Sequence, residues 1–527
     1  MISFLLLILL QTFKRKNSCM SWFVSARLLV TIYPSLSPPS ANLYQINSTM
    51  LFRRHLTSVP ATIPSLLNGK HVLSSTKIPV YSHNSDLIHH YLPIPSLDVL
   101  NEVCSDSYNG FLQWSSRPFS ERADILNSAA NSISRDRDTF IDAHLEIGGS
   151  PMFASVCADN AVQDIREYSR SISLPDGLVV KSSTADLAMA LKTPMGPVLS
   201  IAPWNAPTIL WSRAIVAPLA AGCSVIIKSS DKAPKLPFLY TEHLLKAGVD
   251  VQALQLLNVN PQDHAKVTES LLANDLVRKV NFTGSTAVGT KIAQTAAKYL
   301  KPSLLELGGK NVSIVCYDAD IKKAAYSLVL SAWMHKGQIC MCLDNVYVHD
   351  SIYDKFTEAL VAVAKEFAAS PDMKLGQRDK AGAEKVSRLV SDAIDKGASV
   401  LFGEVSAPTT TESSPLILEN VTPDMSINTE ETFGPVLALF KYHDIEEVIT
   451  NVNKSKYGLK GSIWSTDTLK ALSLARKMDF GGVHINGSTV HDEATLPHGG
   501  VKLSGWGRFN SMWGVDEFAF TKTITLN

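Results

Sequence analysis

Short β-branched runs alternate with amphipathic segments along the middle of this 527-residue chain, and that alternation constrains its fold more than any other feature. The runs "GPVLSIAP", "GCSVIIKSS", "ALQLLNVN" and "VRKVNFTGS" are each too short for a helix and too continuously apolar for a half-exposed strand. Segments such as "APKLPFLYTEHLLKAG" and "PQDHAKVTESLLAN" fall between several of them and carry apolar residues at helical spacing. Strands that alternate with helices build a parallel sheet covered on both faces, which predicts a doubly wound α/β fold. Ligands of such sheets bind beyond the carboxyl ends of the strands.

A second α/β series opens near residue 312 with "VSIVCYD" and continues through "IKKAAYSLVLSAWM", "NVYVHD" and "SIYDKFTEALVAVAKEFAAS". It predicts a second domain, as a chain of this length allows. Ahead of both series, residues 95–170 read as surface helices. The tail "DEFAFTKTITLN" alternates like an edge strand, which invites pairing with another subunit. The stretch "SAPTTTESSP", residues 406–415, reads as a polar surface loop.

Basic and acidic side chains balance at 49 each, so no overall field points to nucleic acid or an anionic membrane as partner. The seven cysteines are odd in number and scattered, which fits a reducing compartment better than a disulfide framework. Cys340 and Cys342 could form half of a metal site, but no second Cys/His pair at ligand spacing accompanies them, so no metal is expected. The first 85 residues hold no Asp or Glu. The apolar "MISFLLLILL" is too short to span a bilayer, and the acid-free Ser- and Arg-bearing stretch fits a mitochondrial transit peptide or a leader outside the fold. The expected location is cytoplasmic, or mitochondrial if that stretch is a transit peptide.

Four motifs carry chemistry. In "NFTGSTAVG", Gly284 and Gly289 lie after a strand and at the opening of a helix, where backbone N–H groups can approach a pyrophosphate; a plain strand-to-helix turn uses glycine too. "IIKSSD" ends another strand with Lys228 and Asp231, a carboxylate that could accept ribose hydroxyls and would repel a 2′-phosphate; Ser230 and Asp231 are equally good helix caps. In "LLELGGK", Glu306 sits inside an apolar run where lost solvation would make it a competent base for water, unless it simply pairs with Lys310. The fourth is the "GQICMC" stretch, where either thiol could be a nucleophile or a small core residue.

Taken in order, "APWN", "KSSD", "FTGSTAVG", "LELGGK", "GQIC", "EETFGPV" and "PHGGVKLSGWGR" resemble the aldehyde dehydrogenase superfamily over residues 62 to 527. Cys340 lies 34 residues after Glu306 (340 minus 306), the separation that the family places between its base and nucleophile. The finer resemblance is to the salicylaldehyde, vanillin and benzaldehyde dehydrogenase branch. The resemblance implies an NAD-binding domain over 63–308, including part of a β oligomerisation arm near 173–195. A catalytic domain over 309–500 and a returning segment over 501–527 follow, and residues 1–62 stay outside.

The same resemblance implies roles. Cys340 attacks the aldehyde carbon, the Asn205 amide and the Cys340 N–H hold the oxyanion, and Glu306 activates the water that resolves the thioester. Cys342 is then a bystander thiol. NAD, rather than NADP, would be held by Trp204, Lys228, Asp231, Gly284, Ser285, Gly289, Leu307, Glu431 and Phe433. Ala206, Leu210 and Arg213 share one face of the helix expected after Asn205, and could line a channel for an aromatic aldehyde; Arg213 could instead pair with a carboxylate. His335, His498 and "CLDN" depart from the commoner family pattern without removing a group that makes or breaks a bond. The implied partners are a small aldehyde and further copies of the chain as a homodimer or homotetramer. A catalytically silent NAD-binding member and an enzyme that passes the acyl group to coenzyme A are the alternatives.

Overall fold

The structure is a computed structural model that describes residues 61–83, 88–369, 376–405, 411 and 413–527. Of the leader expected over 1–62, residues 1–60 lie outside the described residues, as does most of the polar loop at 406–415, while Ala61–Thr62 form a strand paired with His90 and Tyr91.

The continuously apolar runs become strands buried on both faces. Val198–Ile201, Val225–Lys228, Leu254–Leu257 and Lys279–Thr283 are buried at every position. They belong to an eight-stranded sheet in the spatial order Gly505–Trp506, Ser303–Glu306, Lys279–Thr283, Val198–Ile201, Val225–Lys228, Leu254–Leu257, Ser65–Leu67, Lys70–Val72. The five strands from Ser303–Glu306 to Leu254–Leu257 are parallel, and antiparallel strands finish both sides.

From Val198–Ile201 the chain winds outward through two neighbours, then returns to the opposite side of that strand with Lys279–Thr283. The two adjacent strands are therefore followed by connections that leave in opposite directions. This is a topological switch point, and the crevice at the carboxyl ends there is where doubly wound sheets take ligands. Asn205 follows one of these strands and Gly284 the other.

A second, seven-stranded sheet has the order Ser399–Phe402, Leu416–Glu419, Val436–Tyr442, Leu343–His349, Asn311–Val315, Lys460–Trp464, Gly482–Ile485, parallel except at its first pair. The expectation of two α/β series is met. The helices expected over 95–170 are present as Leu100–Ser116, Phe119–Arg135, Arg137–Leu145 and Pro151–Ser171. They are less superficial than their charge suggested, because Trp114, Leu126, Phe140 and Ile165 are wholly buried in the main core. The tail forms Ala519–Leu526, paired antiparallel with Leu187–Pro194 and through it with Gly177–Val180. Leu178 and Val179 on that small sheet are 70% and 75% exposed. Among the described residues no helix is long and apolar enough to cross a membrane.

Candidate active site

Glu306 ends the strand Ser303–Glu306, opposite Thr283 on one side and Gly505 on the other. Its side chain is 2% exposed. The four-residue separation from Lys310 suggested an ion pair, but Lys310 turns away and donates to Asp344 at 2.9 Å and Thr432 at 3.0 Å. The carboxylate's nearest basic group is instead His498, whose Nε2 lies 3.4 Å from Oε1, while Oε2 has no hydrogen-bond partner.

Cys340 comes from the other sheet, on the turn between the helix Ile321–Trp333 and the strand Leu343–His349. That turn is strained. His335, Lys336 and Gly337 take successive φ values of 50°, 57° and 73°. Left-handed backbone at non-glycine residues costs on the order of 1–3 kcal/mol each and persists where the surroundings over-determine it. Gly337 is required for a second reason, since a Cβ there would fall 2.1 Å from the Gly434 carbonyl oxygen. Asn311 fixes the far side of the turn by donating to the carbonyls of Cys340 and Cys342 at 2.8 and 2.7 Å. In the sequence, Asn311 stands out only as a polar residue at the head of a β-branched run.

The two thiols differ in setting. Cys340 is partly exposed and lines a cleft with Glu431, Phe433, Gly309 and Gly337. Burial, together with the Glu306 and Glu431 carboxylates, pushes its thiol well above the ordinary range, so a proton acceptor must act before the sulfur can attack. Cys342 is buried in the main core, its Sγ 3.6 Å from the Met334 carbonyl oxygen, and burial pushes it up too.

Asn205 is 5% exposed, and its Nδ2 donates to the Gln338 carbonyl at 2.9 Å, which ties the first sheet to the cysteine turn. An amide carries two N–H donors, so one remains for an oxyanion. His144 and His335 sit behind it, fully buried, with His335 stacked on Phe153 at 4.8 Å. Burial lowers them to about 4 and about 3, which keeps both imidazoles neutral near neutral pH.

The other expected residues fall along the switch-point crevice. Lys228 closes its strand, 94% shielded, and burial lowers its ammonium to about 8 against the pull of Asp231. Ser230 accepts from the Lys232 and Ala233 N–H groups in a local turn, and the capping alternative is not realised: the helix Lys235–Ala247 begins at Pro234 with no side-chain cap. Ser285 caps the helix Thr286–Lys298 through the Val288 N–H, and the first turn of that helix is largely exposed. Gly289 lets the helix approach Leu307, because a Cβ would meet Leu307 Cδ2 at 2.4 Å. Glu431 is raised to about 7 by burial and accepts from the Gly309 N–H at 3.1 Å. Trp204 and Phe433 meet edge to face, 6.2 Å between centroids, and Phe433 holds a φ of 54°.

These residues fit a dinucleotide. The helix start offers unpaired N–H groups to phosphates, and Gly308 leaves the space beside Glu431 that a Cβ would fill, 2.6 Å from Oε1. Lys228 and Asp231 would meet a ribose.

Ala206 and Leu210 are 4% and 7% exposed in the core behind Asn205. Arg213 is 2% exposed, with Nε 3.1 Å from Asp164 and its Nη2 bonded to Asp492. Of its two expected settings, pairing with carboxylates is the one observed.

A family model described as "Aldehyde dehydrogenase family" matches residues 74–524. The chain is 35% identical over 437 residues to a vanillin dehydrogenase of Pseudomonas fluorescens, covering 82% of this chain and 90% of that one. Its fold superposes on a salicylaldehyde dehydrogenase from Pseudomonas putida G7 complexed with salicylaldehyde, with TM-score 0.85, 32% identity and coverage of 89% and 98%. An NADP dependent enzyme of E. coli is also similar, with TM-score 0.84, 27% identity and coverage of 88% and 98%.

Proposed function

The chain belongs to the aldehyde dehydrogenase family, and we propose that it oxidises an aromatic aldehyde to the carboxylic acid with NAD, through a thioester on Cys340. The observation that carries this reading is the meeting of three groups from different parts of the fold: the strained Cys340 turn, the Glu306 carboxyl without an ammonium partner, and the Asn205 amide that bridges to the turn.

Each group has a task set by its chemistry. The Cys340 thiol, which burial keeps protonated, gives its proton to solvent at the cleft, and the sulfur then attacks the carbonyl carbon. The oxyanion is held by the free Asn205 N–H and the Cys340 backbone N–H, each such donor being worth about 3 kcal/mol. Bound NAD supplies a hydride acceptor. Trp204 and Phe433 would flank its ring, Glu431 would take the adjoining ribose, Lys228 and Asp231 the adenosine ribose, and Ser285 and the following turn the phosphates. Glu306 finally takes a proton from the water that cleaves the thioester. Support for an aromatic substrate comes from the relatives named for vanillin and salicylaldehyde. Support for NAD comes from Asp231, whose carboxylate would repel a 2′-phosphate. The small outer sheet, with its exposed apolar strand, supports assembly into a homodimer or homotetramer.

The test is purified protein with benzaldehyde, hydroxybenzaldehydes and hexanal, each with NAD or NADP and with or without coenzyme A. Reduction of NAD with release of a free aromatic acid is the expected result. No reduction of either cofactor would overturn the enzymatic reading in favour of a silent binding protein, and acyl-coenzyme A as the product would overturn hydrolysis.

A further inference from the structure

Lys460 is a buried ammonium beside the cysteine turn, and the reaction described above leaves it unused. It opens the strand Lys460–Trp464, and its backbone N–H donates at 3.0 Å to Asn311, the residue whose amide also holds the Cys340 carbonyl at 2.8 Å. Its side chain runs across the neighbouring parallel strand, where its register partner is Gly482. A Cβ at Gly482 would lie 2.8 Å from Nζ and 3.1 Å from Cδ, so a glycine is what lets the lysine stem pass there. Lys460 is 4% exposed, yet its Nζ makes no hydrogen bond or ion pair with a described residue.

The other buried lysines have a partner or a task. Lys279 pairs with Glu517 at 3.1 Å, Lys310 with Asp344 at 2.9 Å, Lys336 reaches the Ser413 carbonyl, and Lys228 closes a strand in the cofactor crevice. Asp492, the carboxylate that acts most on Lys460, is already engaged by Arg213 and by Asn510, whose Nδ2 donates to Oδ1 at 2.9 Å. Burial lowers the pKa of the ammonium, Asp492 counters it, and Cys340 and Glu306 also lie within its field. His484 stands two residues beyond Gly482 on the same strand, so it projects from the face that Lys460 crosses. Its Nε2 is buried without a hydrogen-bond partner, and its ring meets His491 edge to face with centroids 4.9 Å apart. Burial, with Lys460 and His491 beside it, lowers His484 to about 4, so the ring is neutral near neutral pH and carries one N–H. Buried polar groups are ordinarily paired, and two unpaired donors on one face mark the place of an absent acceptor.

We propose that Lys460 is a specificity-determining residue, and that the aldehyde this site takes is an aromatic one bearing a carboxylate, which pairs with the Lys460 ammonium and accepts from His484 Nε2. The inference rests on the aldehyde dehydrogenase reading above and narrows its substrate class. A carboxylate suits the two donors because it is acceptor-only and offers an oxygen to each, in bonds strengthened by charge. A neutral ring would leave the ammonium and the imidazole N–H buried and unpaired, which is how a polar site rejects an analogue that lacks the matching group. The two carboxylates nearby are themselves engaged, Asp492 by Arg213 and Glu306 by His498. The substrate's carboxylate is unchanged by the reaction, so the product is a benzenedicarboxylic acid.

The parent protein is assayed with NAD and benzaldehyde, the ortho, meta and para carboxybenzaldehydes, the methyl ester of each acid, and a hydroxybenzaldehyde. For at least one acid, kcat/KM is expected to exceed that of benzaldehyde, of the hydroxybenzaldehyde and of its own ester by roughly tenfold or more, mainly through KM. Lys460→Met keeps the length of the stem without its charge. It should erase that advantage while benzaldehyde stays within about threefold of the parent, and Lys460→Arg should keep part of it. Acids oxidised no better than their esters, benzaldehyde or the hydroxybenzaldehyde overturn the proposal, and this comparison stands even where Lys460→Met does not fold. Retention of the advantage in Lys460→Met also overturns it. So does an equal loss for acid and benzaldehyde in a variant that melts like the parent, because the ammonium would then act on Cys340 or Glu306 and not on the substrate. Absence of NADH with every aldehyde in the parent would instead bring down the underlying functional reading, and this proposal with it.

Discussion

Lys310 commits its ammonium to Asp344, 2.9 Å away and fully buried, and Glu306 four residues earlier is left without a lysine or arginine partner among the described residues. A buried carboxyl neutralised by lysine would be a structural pair. One that faces a histidine and a thiol is free to accept a proton.

Glu306→Gln should therefore leave the first turnover partly intact and arrest the enzyme as a thioester, because an amide takes no proton from water. Stopped-flow traces with NAD and benzaldehyde should show a burst of NADH and then a slow phase at least about 100-fold below the parent's turnover. Steady turnover at the parent rate would exclude Glu306 as the base.

Cys340→Ala should abolish aldehyde oxidation, while Cys342→Ala retains most of it. Both thiols border the cleft, but Cys340 is partly exposed there, whereas Cys342 is buried with its Sγ against the Met334 carbonyl. Losing the Cys342 sulfur costs packing, about 1 kcal/mol or somewhat more, read as a lower Tm. Equal loss of kcat in both folded variants would mean that the thiols act together.

Asp231→Ser should narrow the preference for NAD over NADP. The carboxylate follows Lys228 by three positions at the crevice and also lies within the field of Arg378, a cation that a 2′-phosphate could use once the carboxylate is gone. The ratio of kcat/KM for the two cofactors measures this. Equal efficiency in the parent would remove the basis of the prediction.

Arg213→Leu strands two carboxylates, Asp164 and Asp492, in the interior. Breaking a buried pair from one side costs about 3–5 kcal/mol, so Tm should fall sharply, and kcat/KM should fall alike for hydroxybenzaldehydes and hexanal. A selective rise in KM for hydroxybenzaldehydes at unchanged Tm would place Arg213 at the substrate.

His144 and His335 make stability depend on pH. In the unfolded chain a histidine protonates near 6.5, whereas burial holds these two at about 4 and about 3. Between those limits the unfolded state binds protons that the folded state does not. Stability is thus complete above about pH 6.5 and falls with acidification, by up to about 1.4 kcal/mol per pH unit for each residue. Tm measured from pH 7 to 4.5 should fall less steeply in His335→Asn than in the parent, and parallel curves would refute the assignment.

Local patterns determined much of this protein. Continuous apolar runs can satisfy themselves only as strands covered on both faces, so the two α/β series were legible, and the ordered motifs carried the family and singled out Cys340, Glu306 and Asn205 as candidates. What each polar side chain touches was decided by the tertiary structure, because partners in a wound sheet come from distant parts of the chain. The spacing of Glu306 and Lys310 suggested a pair, but Asp344 arrives from the neighbouring sheet and takes the lysine. Ala206 caps the helix Pro207–Ala221 that carries Leu210 and Arg213, yet Arg213 meets Asp164 and Asp492, carboxylates 49 residues before and 279 residues after it. His498 looked like a single departure from a pattern. Only the folded chain sets it between Asp492 and Glu306, 192 residues away, where burial leaves its two nitrogens facing two carboxylates and little else.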